Sequence, residues 1–395
     1  MMIQAILSNP SNPEYGVATI PFPTPHDQYA HCMELLGALE IGDAVKADCK
    51  VTKIDSFYTV LKRTEMLTVN VEELNYLAKR LESFDTGEAA QFQAMAHKLE
   101  LFELKDLINL TFCCQQATVI TDFSDLAAVG RDHYMNLHGG SAKTEELDAL
   151  DGEETARRLI ESGSGTITPY GVVYDNGMKL EQVYDGRFFP CYYYEPNAIT
   201  VAVTSKTEPE DTEHITWLFL PMVQEEIDRA LLRGGITDPS EIRLSLEDSW
   251  LPHEVLDLLD MDHVDISELN ALVQALDEFS DMSIRKYAAA AVMARPHTME
   301  QAKHLAENLD LFDFAPSAST PEEYGKYMIQ QSGHFDYDEN LDAFYDYEKY
   351  GMERMNAEDG MFTDRGYIAY KGYYSMEKVM NGSQSSHMVM GGLSR

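Results

Sequence analysis

The chain has 395 residues, of which 44% are apolar, and is therefore long enough for two or more domains with packed cores. Its 67 acidic residues outnumber 30 basic ones, and the resulting net charge of −37 excludes a bare nucleic-acid binder and disfavours an anionic membrane surface as a partner. No apolar run approaches the length of a membrane span, and residues 1–10 lack the basic start of a secretion signal. Five cysteines without a C-x-x-C pair favour reduced thiols, so we expect a cytoplasmic protein.

The first half begins with a strand at Ile3 and contains a helix that starts at Asn70-x-x-Glu73, a pattern typical of a capped N-terminus. The adjacent Cys113 and Cys114 are expected in or beside a buried apolar segment. Residues 187–198 are rich in Tyr and Pro, which predicts a stiff, extended linker.

The second half begins with strands at Ile199–Thr204 and Trp217–Leu220. A helix over 223–232 is then predicted to bury Ile227, Leu231 and Leu232 and to end at Gly234-Gly235. The remaining predicted elements are a strand at Ile242–Leu246, a helix with a buried stripe, a short helix entering at Thr320-Pro-Glu-Glu323 and a closing strand at Gly366–Tyr370. The stripe consists of Ile266, Leu269, Leu272, Leu276 and Phe279.

Internal self-similarity connects the two halves. Val69–Phe84 lies 195 positions before Val264–Phe279, and 7 of the 16 aligned residues are identical. Other matches keep nearly the same offset, including Gly130 with Gly325. A constant offset indicates tandem duplication. We therefore predict an elongated α+β chain of small subdomains, with copy one at residues 3–186, copy two at 199–382 and a disordered tail at 383–395.

The sequence offers no persuasive catalytic or metal-binding motif. His133 and His138 have the wrong spacing for one helix face and are interpreted as surface histidines. Gly163-Ser-Gly165 lacks the Lys-Ser/Thr of a phosphate loop and is interpreted as a turn. Asp336-x-Asp338-x-Asn340 resembles the start of a calcium loop, but Leu341 and Tyr347 replace the required Gly and Glu. We expect no enzyme activity, metal or cofactor.

The remaining signal is the distribution of acid. Residues 1–197 carry 30 acids and 15 bases, and the rest carry 37 and 15, so the charge is not confined to a tail. Acids separated by two or three residues alternate with core positions, which is typical of folded, carboxylate-covered faces. The candidate partner-binding residues are Glu225, Glu226, Asp228, Asp257, Asp260, Asp262, Asp277, Glu278, Asp281, Glu307, Asp310, Asp313, Asp336, Asp338, Glu339 and Asp342.

Two interpretations of this acidity remain open from charge alone. High net charge can serve solubility only. Alternatively, carboxylates can imitate the phosphates of duplex DNA, and a charge of −37 corresponds to roughly 60 Å of duplex at one charge per ~1.7 Å.

A family resemblance favours the second interpretation. Copy two has Trp217-x-x-x-Pro221, then Glu225-Glu226, a strand followed by Asp248 and Pro252, and the motif Ile266-Ser-Glu-Leu-Asn270. This order resembles the antirestriction proteins of the ArdA family, and the stretch 339–351 resembles the family's final helix. Copy one is more divergent, with Phe22-Pro23 but no preceding tryptophan.

The resemblance implies a non-enzymatic DNA mimic carried on mobile genetic elements. Such a protein occupies the DNA-binding groove of a type I restriction–modification enzyme, on its methyltransferase–specificity core. It also implies a homodimer, which a tandem chain could replace by a covalent pseudo-dimer. Two alternatives from other classes remain: an acidic adaptor or chaperone for a basic conjugation or replication protein, and a hydrolase assembled from distant carboxylates.

Overall fold

In a computed structural model of the protein, residues 3–192, 199–206, 214–257 and 263–382 are described. The chain forms two compact units. Unit 1 comprises Met1–Pro196, Glu210–Trp217 and Val223–Thr237, and unit 2 comprises Asn197–Pro209, Leu218–Met222 and Asp238–Arg395. The predicted linker is described only as far as residue 192, and the predicted tail lies outside the described residues.

Unit 1 opens with an antiparallel sheet of order β2-β1-β3-β4. Its first strand buries Ile3, Ala5 and Leu7 and exposes Gln4, as the two-residue period of a strand requires. The elements of this part are β1 (Ile3–Ser8), β2 (Ala18–Phe22), α1 (Tyr29–Ala38), β3 (Cys49–Asp55), β4 (Thr68–Val69) and α2 (Val71–Glu82).

The middle and end of unit 1 continue this core. Helix α3 (Thr86–Lys98) starts with a full capping box between Asp85 and Glu88, and α4 (Leu104–Leu110) packs against α2. A second sheet has the order β5-β7-β6. The elements around it are β5 (Thr118–Ile120), α5 (Leu126–Leu137), α6 (Thr144–Ala149), α7 (Gly152–Glu161), β6 (Thr166–Thr168) and β7 (Gly171–Tyr174).

Unit 2 contains two three-stranded antiparallel sheets, and β9 begins in the part of the chain assigned to unit 1. The first sheet has the order β10-β8-β9, with β8 (Ile199–Ser205), β9 (Thr216–Leu220) and β10 (Ile242–Asp248). The second has the order β11-β13-β12, with β11 (Phe312–Pro316), β12 (Asp359–Thr363) and β13 (Gly366–Tyr370). The helices are α8 (Gln224–Arg233, assigned to unit 1), α9 (His253–Leu256), α10 (Ile266–Leu276), α11 (Asp281–Ala294), α12 (Met299–Glu307), α13 (Pro321–Gln330), α14 (Tyr347–Ala357) and α15 (Met376–Met380).

The predicted fold class, α+β with small antiparallel subdomains, is confirmed. Residues 3–174 and 199–370 also have a similar succession of elements, but β4 has no counterpart among the described residues of the second region, and a 3-10 helix at Glu339–Phe344 replaces α6. The three-strand orders β2-β1-β3 and β9-β8-β10 correspond, as do β5-β7-β6 and β11-β13-β12.

A close helix crossing recurs at the predicted Gly130–Gly325 match. A Cβ on Gly130 of α5 would lie 1.8 Å from the carbonyl oxygen of Gly152, at the start of α7. A Cβ on Gly325 of α13 would lie 2.0 Å from the carbonyl oxygen of Tyr347, at the start of α14. Both contacts are far below van der Waals distance, so each helix pair requires glycine at its crossing.

Most predicted boundaries agree with the elements, with three differences. Leu232 is 50% exposed although Ile227 and Leu231 beside it are buried, because it lies on the outer side of α8. Phe279 is half-buried and follows the end of α10 rather than lying on it. The stretch 339–351 is not one helix: a 3-10 helix at Glu339–Phe344 precedes α14, which begins at Tyr347.

Candidate partner-binding surface

The acids predicted on α8 differ in their surroundings. Glu225 and Asp228 are exposed, and Asp228 accepts a hydrogen bond from Gln224 at 2.8 Å. Glu226 is half-buried, and its Oε1 lies 3.4 Å from the Nζ of Lys79 within unit 1. The charge of Glu226 is therefore partly neutralised, and only the other two present carboxylates to solvent.

The same helix carries two arginines that anchor it in unit 1. The Nε of Arg229 donates to Glu72 at 2.6 Å. Arg233 is 4% exposed, stacks 4.4 Å above the ring of Phe189 and lies 3.8 Å from Glu73. Its guanidinium donates to the carbonyl oxygens of Ala44, Gly186 and Arg187, to Asn70 Oδ1 and to the hydroxyl of Tyr184.

This anchoring uses the first-turn acids of α2. The Tyr184 hydroxyl also donates to Glu73 at 2.8 Å, and burial raises the pKa of Glu73 despite these favourable partners. Glu72 and Glu73 are thus internal ion-pair partners and not part of an exposed acidic surface. The sequence analysis did not identify this network, because its residues are far apart in the chain.

The second predicted cluster is only partly described. Asp257 is exposed and directly follows α9. Asp260 and Asp262 lie outside the described residues. Nearby Glu254 accepts from Arg365 at 2.5 and 3.1 Å, and this bidentate pair and the other hydrogen bonds of Glu254 hold its pKa below the usual value against the opposing effect of burial. Glu254 is therefore a structural residue of unit 2.

Asp277, Glu278 and Asp281 form a compact acidic turn between α10 and α11. All three are exposed, and within the described part of the chain none has a salt bridge. Asp281 lies in the first turn of α11, where the helix dipole favours a carboxylate. This turn is the clearest group of uncompensated charges among the predicted residues.

The third predicted group consists of Glu307, Asp310 and Asp313, and lysines compensate the charges of two of these residues. Glu307 is exposed but lies 3.6 Å from Lys303, and half-buried Asp313 forms an ion pair with Lys371. Asp310 is exposed on the 3-10 turn that follows α12.

The last predicted group lies before α14. Asp336, Asp338 and Glu339 are exposed, whereas Asp342 is half-buried. One oxygen of Asp342 accepts hydrogen bonds from Gln330, Tyr337 and Tyr347 at 2.8, 2.8 and 2.5 Å. These donors lower the pKa of Asp342, so its charge is used to hold the local fold.

Unit 1 contains an acidic cleft that the sequence analysis did not identify. Its volume is about 600 Å³, and it lies between the start of α3 and the segment that leads into α5. The order of these elements along the chain does not reveal that they converge. Its acidic lining residues are Asp85, Glu88, Asp122, Asp125 and Asp132.

Four of the five thiols are buried. Cys32, Cys49, Cys113 and Cys114 are buried, and burial raises the pKa of each thiol. The surface interpretation of His133 is wrong: it is half-buried, its Nδ1 lies 2.8 Å from Thr118 Oγ1, and burial lowers its pKa. Where side chains are described, His, Cys, Asp and Glu form no group of three suited to a metal ion.

No helix among the described residues has the length and apolar character needed to cross a membrane.

The chain was compared with known protein families and with curated proteins. No curated protein matches the chain. Residues 212–369, which include most of predicted copy two and all of its described candidate carboxylates, match the model of the antirestriction protein (ArdA) family, and this part of the chain is therefore similar to that family.

Proposed function

We propose that the protein is a DNA-mimic antirestriction protein that blocks type I restriction–modification enzymes. The observation that carries this proposal is the coincidence of the ArdA match at 212–369 with exposed carboxylates on helices, turns and loops of the same region. Carboxylates fixed by a fold can compete with phosphates for a basic groove at a lower ordering cost than a flexible polyanion.

The proposed contact uses fewer of the candidate carboxylates than the sequence suggested, because only some of them are exposed and uncompensated. It uses the acidic turn of Asp277, Glu278 and Asp281 and the group of Asp336, Asp338 and Glu339, with smaller contributions from Glu225, Asp228, Asp257 and Asp310. Glu226, Glu307, Asp313 and Asp342 contribute less because side chains of this chain already compensate them. The partner is the methyltransferase–specificity core, and the encounter takes place in the cytoplasm of the host cell.

We further propose that the chain is a tandem duplication in which both copies keep the fold. The shared strand orders and the repeated glycine crossing support this proposal. In this arrangement one polypeptide supplies a pseudo-dimer.

The test is competition with duplex DNA for a purified type I methyltransferase–specificity core. The full chain should inhibit DNA binding and methylation at low salt and lose potency as salt rises, because exposed charges are screened beyond about 8 Å at physiological ionic strength. Inhibition that is independent of salt, or turnover of a substrate, would contradict mimicry. If the chain does not compete with DNA for the enzyme but does bind a basic conjugation or replication protein, the adaptor hypothesis is favoured instead.

A further inference from the structure

The segment 334–346, which we call the aromatic–acidic segment, has a composition that copy one lacks. It contains Phe335, Tyr337, Phe344 and Tyr345, whereas the equivalent residues 139–151, which lie 195 positions earlier, contain no aromatic residue. In the match of Glu145–Ala149 with Glu339–Ala343, position 344 corresponds to Leu150. Charge alone does not account for this difference between the two halves.

Its own hydrogen bonds and ring contacts hold the segment in place. The three donors to Asp342 connect the segment to α13 and to the start of α14. Asp338 caps the 3-10 helix by accepting from the backbone N–H of Asn340 at 2.9 Å. The ring of Phe335 meets that of Tyr350 edge-on at 5.9 Å. The segment is therefore an ordered platform.

Large apolar side chains nevertheless face solvent on this platform. Phe344 is 83% exposed, and Phe335 and Leu341 are 48% and 47% exposed. An exposed phenyl group held on an ordered backbone has little conformational entropy to lose on binding, which is a property of interface anchors. Acids surround these side chains: Asp336, Asp338, Glu339, Asp346 and Glu348 are all exposed, and no Lys or Arg occurs between 334 and 348.

We propose that Phe344 is an apolar anchor that inserts into a pocket beside the cationic groove of the partner protein. The proposal rests on the function proposed above and adds a contact that DNA itself does not make, since a duplex displays phosphates and groove edges and no projecting phenyl ring. The surrounding carboxylates select a basic surface around that pocket. A second copy of this segment is disfavoured as the occupant because it would bring like charges together.

The experiment measures dissociation constants of the full chain for a type I methyltransferase–specificity core at several salt concentrations. Phe344→Ala removes the exposed phenyl group. It should weaken binding by about tenfold or more at every salt concentration, mainly through faster dissociation, because an apolar contact is not screened. Phe344→Ala combined with Leu341→Ala should weaken binding further.

Two matched variants make this test specific. Tyr373→Ala removes another fully exposed aromatic ring of unit 2, outside the segment, and should leave affinity within about twofold of the original. Replacing Asp336, Asp338 and Glu339 by Asn, Asn and Gln should instead reduce the dependence of affinity on salt. Unchanged thermal unfolding would confirm that Phe344→Ala is folded.

Each outcome decides the proposal. If the original chain competes with DNA but Phe344→Ala binds as well as Tyr373→Ala does, the anchor is refuted and the proposed function remains. If the original chain does not bind the enzyme, the proposed function fails and the anchor fails with it. If Phe344→Ala changes the sedimentation of the chain alone, the occupant is a second copy, and the basic-partner proposal is wrong.

Discussion

At one equivalent place, residues 3–174 and 199–370 make the same connection with different chemistry. In the first region, Thr59 Oγ1 and the Tyr170 hydroxyl form a hydrogen bond of 3.0 Å. In the second, 195 positions later in both partners, Glu254 and Arg365 form a bidentate ion pair. The comparison teaches that the arrangement of strands and helices determines which two positions are in contact, whereas the type of interaction between the two side chains can differ.

A second difference concerns α1 and α8, the first helices of the two regions. Arg229 and Arg233 of α8 correspond at the same offset to Glu34 and Ala38 of α1. The arginines hold α8 against Glu72 and Glu73 of α2 within unit 1. Helix α1 has no cations at these positions, so the two helices have different roles in packing.

The largest expected effect comes from removing the guanidinium that distinguishes α8 from α1. Arg233→Ala leaves Glu73 and several carbonyl groups without their buried partner, and should lower the free energy of unfolding by about 3–5 kcal/mol. Urea unfolding measures this change. Arg157→Ala, at an exposed i,i+4 pair on α7, is the control and should cost less than about 0.5 kcal/mol. Equal stability of the two variants would refute the anchoring role of Arg233.

The next largest effect is expected from removing the charge of the Glu254–Arg365 ion pair, which the neutral Thr59–Tyr170 hydrogen bond does not carry. Glu254→Gln should destabilise unit 2 by about 1.5–3 kcal/mol at pH 7, because the charged hydrogen bonds to Arg365 are lost. The folded-state pKa of Glu254 is lowered, so the contribution of the pair is complete above the ordinary value of about 4.5 and is lost as the pH falls through the lower folded value.

Unfolding measured between pH 7 and pH 3 tests this dependence. The difference between the original chain and Glu254→Gln should shrink as the pH falls. The cost of Thr59→Ala, at the hydroxyl pair of the first region, should stay constant over this range. A pH-independent cost of Glu254→Gln would show that its carboxylate is not the stabilising group.

Substituting the glycine at either helix crossing should lower the free energy of unfolding by a similar amount. Gly130→Ala and Gly325→Ala each place a Cβ against a backbone carbonyl, and each should destabilise by about 1–3 kcal/mol. Gly37→Ala in α1 meets nothing within 4 Å and should stabilise by up to about 1 kcal/mol. Thermal unfolding compares the three variants. Destabilisation at only one crossing would break the correspondence between the regions.

The smallest effect per residue is expected on the acidic turn. Asp277→Asn, Glu278→Gln and Asp281→Asn should each change inhibition of the type I enzyme by less than about twofold, since single rim charges contribute little. The combined variant should inhibit several-fold less and remain folded, because like-charge repulsion is relieved. Loss of inhibition through one single substitution would refute a distributed contact and indicate a localised site.

The sequence predicted the helices and strands with strong periodicity. Ile266, Leu269, Leu272 and Leu276 are buried on α10 as their spacing requires, and Thr320 caps α13 by accepting from the N–H of Glu323 at 3.2 Å. Leu232 was misassigned because it lies on the outer side of α8, and His133 because its partner Thr118 lies in another element.

The sequence by itself determined the fold class, the local elements and the excess of carboxylates, because these depend on periodicity, capping and composition. Only the tertiary structure decided which carboxylates are available: Glu226 pairs with Lys79, and Asp342 accepts from its own tyrosines, while Asp277 and Glu278 remain exposed. It also decided that Phe344 faces solvent. The physical reason is that compensation and burial depend on groups brought close by folding, and one-dimensional spacing does not specify those distances.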